Sequence, residues 1–110
     1  MIIKINNLNW TVFFVPRKHE KLELEDTQCM GVTYFSDLQI YIDESLSDEL
    51  IRQTVIHELI HAFLFSYGVH IECSYDKDVE EAFCDFCGAY FDKVQKVANK
   101  IIKMWRKDRQ

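Results

Sequence analysis

The 110-residue chain has one proline and three glycines, and no Pro/Gly/Ser-rich linker, internal repeat or low-complexity tract divides it. That excludes a second domain on a flexible connector, and the length suits one domain, residues 1–110, with a modest core. No apolar run approaches the roughly 20 residues of a membrane span. The amino terminus, Met-Ile-Ile-Lys-Ile-Asn-Asn, lacks the basic start, apolar run and small-residue cleavage site of a signal peptide. The expectation is a cytoplasmic protein with no membrane partner. A second C-x-x-C is missing as well. Cys84 and Cys87 make one such pair, but Cys29 and Cys73 lie too far apart in sequence to make the other, which argues against a zinc ribbon. A thioredoxin-like pair follows a strand and opens a helix, whereas this one falls mid-helix in the reading below. Both cysteines read as small core residues, reduced in a cytoplasmic chain. Basic charge is scarce outside the carboxyl end. Residues 92–110 carry seven Lys or Arg against Asp92 and Asp108, a local charge of +5, and the rest of the chain carries −10. An acidic body argues against nucleic acid as partner, because phosphate contact needs a basic face.

What is present is apolar and aromatic, 48% and 14% of residues, the composition of a globular chain. Ile2, Ile3 and Ile5, then Trp10 and Val12 to Val15, predict one or two strands with a turn at Asn6-Asn7 and an end at Pro16. Residues 17–28 are polar and charged and read as a loop, with His19 a surface residue. Met30 to Phe35 reads as a further strand and Ser36-Asp37 as a turn. Leu38 to Asp43 alternates Leu38, Ile40 and Ile42 with Gln39, Tyr41 and Asp43, the pattern of a half-buried strand. A long helix follows: Ser45 and Ser47 offer N-caps, Asp48 and Glu49 suit a first turn, and no Pro or Gly intervenes before Gly68. Its apolar set is Leu50, Ile51, Val55, Leu59, Ala62 and Phe63. After a connection over Val69 to Tyr75, a second long helix begins near Asp76 or Asp78. Val79, Ala82, Phe83, Phe86, Tyr90, Val94, Val97, Ile101 and Trp105 keep its helical period to the end. The fold class expected is α+β, a small, mainly antiparallel sheet of three or four strands followed by two long helices.

Inside the first helix stands His57-Glu58-Leu59-Ile60-His61. Residues four apart lie one above the other on a helix, so the two imidazoles point the same way and make half of a tetrahedral zinc site. Glu58 sits on the same turn, suited to act as general base. Two His and a Glu on an otherwise apolar helix are costly to bury without a use. A catalytic zinc takes three protein ligands and keeps one position open. Glu80, Glu81 and Asp85 on the second helix are the acidic candidates. Glu81 is preferred, since Asp85 four residues on can orient a ligating imidazole through its other N–H. Glu80 and His70 are the alternatives.

With these residues the chain resembles the gluzincins, whose pattern is H-E-x-x-H followed by E-x-x-x-D on a later helix, here Glu81-Ala82-x-x-Asp85. Its small size resembles the minimal zincin-like forms, the ImmA/IrrE-type metallopeptidases of bacteria, prophages and mobile elements, with SprT-like proteins as neighbours in pattern. The resemblance covers about residues 29–91. It departs from the family where Phe83 and Cys84 replace the usual small residues, and where a strand replaces the helix that opens many members. What it implies is a zinc metallo-endopeptidase. His57, His61 and Glu81 would hold Zn²⁺, Asp85 would orient an imidazole, and Glu58 would be the catalytic base. The clan's edge strand precedes the active-site helix, and Leu38 to Asp43 takes that place here, so a protein or peptide substrate would pair along it. Tyr67, His70, Tyr75 and Tyr90 are candidates to steady the oxyanion. A regulatory protein is the kind of partner such peptidases travel with.

Residues 92–110, a basic amphipathic tail, read first as a final helix packing its stripe on the domain, and otherwise as a partner-binding surface. The rival function is a protein-binding regulator that either keeps zinc as a structural element without turnover or carries no metal.

Overall fold

The β-branched and aromatic start of the chain folds into a hairpin of β1 (Ile2–Ile5) and β2 (Leu8–Val15). Asn6 and Asn7 turn it with φ of 46° and 67°, the positive pair that a two-residue hairpin loop demands and that Asn tolerates. The computed structural model describes residues 1–68 and 77–109, and in the second span the side chains of Phe83 and of residues 86–109. The polar stretch after Pro16 is more ordered than a loop. It holds a single 3-10 turn, Glu20–Leu22, and a short hairpin of β3 (Glu23–Leu24) and β4 (Thr27–Gln28). Then come β5 (Gly31–Tyr34) and β6 (Gln39–Asp43).

The main sheet has the order β1-β2-β6-β5. β1 and β5 run antiparallel to their neighbours, and β2 and β6 pair in parallel, Thr11 opposite Gln39 through Val15 opposite Asp43. Among the described residues the sheet is therefore four-stranded and mostly antiparallel, as the strand pattern implied. One expectation fails. The strand over Leu38 to Asp43 is not an edge, because β6 is paired on both sides. It is not half-buried either: Ile40, Tyr41, Ile42 and Asp43 are all buried. Two apolar clusters sandwich it, which the alternation of residue types does not reveal. Leu38, with φ of 54°, belongs to the preceding turn.

Both helices lie on one face of the sheet. Ile3, Ile5, Trp10, Val12, Ile40 and Ile42 meet Ile51, Val55, Leu59, Ala62 and Phe63 of the first helix and Phe86, Val94, Ala98, Ile101 and Trp105 of the second. Each buried Val, Leu, Ile or Phe among these contributes about 1.5–3 kcal/mol, the two alanines less. On the opposite face Val15, Val32 and Tyr41 are roofed by Leu22 from the 3-10 turn. His19, expected on the surface, is half-buried there: its Nδ1 accepts from Lys21 N at 3.1 Å and its ring stacks on Tyr41.

The first helix, α1, spans Asp48–Ser66. The two serines offered as caps divide the work. Ser47 Oγ accepts from Leu50 N at 3.3 Å as N-cap. Ser45 instead donates its Oγ to Asp43 Oδ1 at 2.6 Å, while its N–H reaches the same oxygen at 2.9 Å. That tight turn swings the chain from β6 directly into α1. Gly68 ends the helix with φ of 71°, the left-handed conformation at C′ that glycine adopts without strain. Leu50, counted above as apolar lining, is 37% exposed.

The second helix, α2, spans Lys77–Asp108 without a break. The connection over Val69 to Tyr75, and with it His70, Cys73 and Tyr75, lies outside the described residues, as do Asp76 and the side chains of Val79 and Ala82. Phe83, placed by its period on the apolar stripe, is 41% exposed. The basic tail is the last part of this helix and packs on the domain. Trp105 stacks on Phe14 with ring centroids 5.0 Å apart, and Asn99 Oδ1 accepts from Arg52 Nη1 at 2.8 Å. Among the described residues no helix is long and apolar enough to cross a membrane.

Candidate functional site

The apolar period of α1 decides which way its polar residues face. Leu59, Ala62, Phe63, Val55 and Ile51 turn into the core, which leaves His57 and His61 on the outer side. Their ring centroids are 5.0 Å apart with planes at 68°, and both are exposed, His57 with 68% of its side chain in solvent. Two exposed imidazoles one turn apart fit two ligands of a zinc ion by donor chemistry and by position.

Glu58 is different. It is only 6% exposed, a carboxylate at the seam between α1 and the sheet. Its Oε1 accepts from Thr33 Oγ1 at 2.9 Å, and its Oε2 lies 3.9 Å from His57 Nε2. Thr33 belongs to β5, so the strand beside α1 holds the carboxylate. The same strand comes so close because of Gly31. A Cβ there would stand 2.7 Å from Thr54 Cγ2, 3.0 Å from Glu58 Cγ and 3.2 Å from Glu58 Oε2. Gly31→Ala is accordingly expected to cost about 1–3 kcal/mol by forcing β5 away from α1, read as a lower urea midpoint.

β5 is also the outer strand of the sheet among the described residues. Asp43 N donates to Met30 O at 2.9 Å, and Met30 stands opposite Asp43 in the antiparallel register. Since peptide groups alternate along such a pair, Val32 and Tyr34 share Met30's direction towards β6. The backbone N–H and C=O groups of Gly31 and Thr33 then point away from the sheet, while Phe35 C=O turns to accept from Leu38 N at 3.3 Å. Phe35 follows the strand and is 42% exposed, its ring edge-on to His61 at 6.3 Å and 5.3 Å from the ring of Phe65. Among the described residues an outer strand edge therefore runs past Glu58 and ends at an aromatic pair beside His61.

The other sequence candidates fall in different places. Glu80, Glu81 and Asp85 are on α2, with side chains outside the described residues. Among the described residues no three His, Cys, Asp or Glu side chains converge on one point. Tyr67 and Tyr90 pack on each other with ring centroids 4.3 Å apart, between Phe63 and Phe86. Cys87 is a half-buried free thiol on α2, and Cys29 a half-buried one just before β5. The C-x-x-C does lie within a helix, as its position implied, while the side chain of Cys84 lies outside the described residues.

Gly31, Thr33 and Phe35 were missed in the sequence reading. The signal for them was weak: a glycine and a threonine two apart in a strand, which share one face, take meaning only once that face is known to meet α1. Comparison with protein-family models, with curated proteins and with solved structures gives no match for this chain.

Proposed function

We propose that the protein is a zinc-dependent metallo-endopeptidase acting on a protein or peptide substrate. The observation that carries this is the division of labour on one helical turn. Two imidazoles face solvent together while the carboxylate between them is buried and held by a neighbouring strand. A structural histidine pair has no need of such a carboxylate, and burying it costs stability unless it is used. His57 and His61, with Glu81 from α2 as third ligand, would hold the ion. When bound, zinc supplies a water of lowered pKa and polarises the scissile carbonyl. Glu58 would serve as the general base, taking the proton of the attacking water and passing it to the departing amine so that the C–N bond could break with the nitrogen neutral. Asp85, one turn beyond Glu81, would orient an imidazole.

The substrate strand is reassigned from β6, which is filled on both sides, to β5. A peptide pairing with the outward groups of Gly31 and Thr33 would lie along the edge that also carries the carboxylate's hydrogen-bond donor. The aromatic pair Phe35 and Phe65 offers apolar contact beside His61.

The test is the zinc content of chains purified without a histidine tag, compared with His61→Ala and Glu81→Gln. About one zinc per chain is expected in the parent, with a clear loss in both variants, because three ligands act together. Full occupancy in Glu81→Gln moves the third ligand to Glu80 or His70. No zinc in the parent, even after adding it back, overturns the reading.

A further inference from the structure

We infer that Thr33 is the positioning residue of Glu58, its hydroxyl fixing the carboxylate that the peptidase reading uses as base; the inference rests on that reading for its purpose, not for its geometry. Thr33 Oγ1 has two acceptors within reach, Glu58 Oε1 at 2.9 Å and Glu58 main-chain O at 3.3 Å. A hydroxyl has one proton to give, and the shorter contact to an anionic oxygen takes it. The bond spans 25 positions of sequence and ties β5 to α1 at one carboxylate oxygen.

Among the described residues no other side chain is hydrogen-bonded to that carboxylate. Gly31 contributes no side chain on the same strand face, so the carboxylate packs against bare backbone there. His57 Nε2, 3.9 Å from Oε2, is beyond hydrogen-bond distance and belongs to an exposed ring. A glutamate has three side-chain torsions to hold, and the bare backbone at Gly31 offers no side-chain donor to fix the turn of the carboxylate. Among the described residues the hydroxyl is thus the donor that fixes Oε1, while Oε2 lies between Gly31 and the His57 ring.

The same residue has a second consequence. Among the described residues its backbone N–H and C=O lie on the outer edge of β5, while its side chain bonds Glu58. A peptide pairing at Thr33 would therefore be placed against the strand residue that fixes Glu58, so base and substrate share one rigid reference.

The test needs neither a substrate nor metal. In the isotopically labelled, zinc-free full chain at neutral pH, three-bond couplings report whether the Glu58 side chain keeps one rotamer or averages over several. The parent and Thr33→Ser are expected to show a single rotamer. Thr33→Val, which keeps the branched shape and loses the hydroxyl, is expected to show couplings shifted to averaged values. Thr33→Ala carries the same expectation if the valine variant does not fold. Parent-like couplings in the valine or alanine variant overturn the inference. So does an equal shift in the serine variant, since the hydroxyl would then not be the cause. The zinc measurement judges the peptidase reading separately. A Glu58 freed by Thr33→Val in a chain that binds no zinc sustains the positioning role and removes its catalytic purpose. A zinc-binding chain with Glu58 undisturbed does the reverse.

Discussion

Glu58→Gln is expected to lower peptide hydrolysis by roughly 10²–10⁴-fold while zinc content stays that of the parent. Gln has the shape of Glu and keeps an Oε1 to accept from Thr33 Oγ1, so the buried side chain retains its partner. What it loses is the ability to take a proton. The two imidazoles face solvent on the outer side of α1 and do not depend on the carboxylate for their place. Stability should therefore change by no more than about 1 kcal/mol. The measurement is the rate at which new amino termini appear in a mixed peptide library, alongside zinc per chain and a urea midpoint for each protein. Equal rates in parent and variant would sink Glu58 as the base. Zinc in both without cleavage in either would leave a module that keeps its metal for structure, the rival stated at the outset.

Much of this site was legible before any coordinates, and the reason is physical. Helix period and side-chain direction are local properties, so the placement of His57 and His61 on one face, and the Ser47 cap, follow from a dozen consecutive residues. The hairpin at Asn6-Asn7 is local in the same sense. Sheet order is not. Whether the strand before α1 lies at an edge depends on β5 and on the parallel partner β2, more than twenty residues away. The half-buried alternation of Leu38 to Asp43 looked sufficient because Tyr41 and Asp43 are polar-tipped. Yet Tyr41 enters a second apolar cluster, and Asp43 is consumed in the turn to Ser45. Thr33 and Gly31 escaped for the same reason. Their role is a contact between strand and helix, and no single stretch of sequence contains it.

Trp10→Ala is expected to be the most destabilising of these changes, by about 3–5 kcal/mol. Trp10 is completely buried on β2, and its Nε1 donates to Ser66 Oγ at 2.9 Å. Its ring meets Phe65 edge-on at 6.0 Å, and Asn6 Nδ2 donates to Ser66 O at 2.8 Å. These ties hold the last turn of α1, which begins just past His61, against the β1–β2 hairpin. A domain of this size is stable by only about 5–15 kcal/mol, so the loss takes a large part of the whole. The urea midpoint measures it, with Trp10→Phe as the milder control that gives up the hydrogen bond but keeps an aromatic ring. A loss under about 1 kcal/mol in the alanine variant would mean that the helix end is held by something other than this indole. The same variant then tests the coupling of fold and site. The fold fixes His57 and His61 together, so the proposed zinc would bind the folded state in preference. Zinc at a hundred times its dissociation constant should restore about 2.7 kcal/mol to Trp10→Ala, and nothing once His61→Ala is added. Equal recovery with and without His61 would place the ion elsewhere.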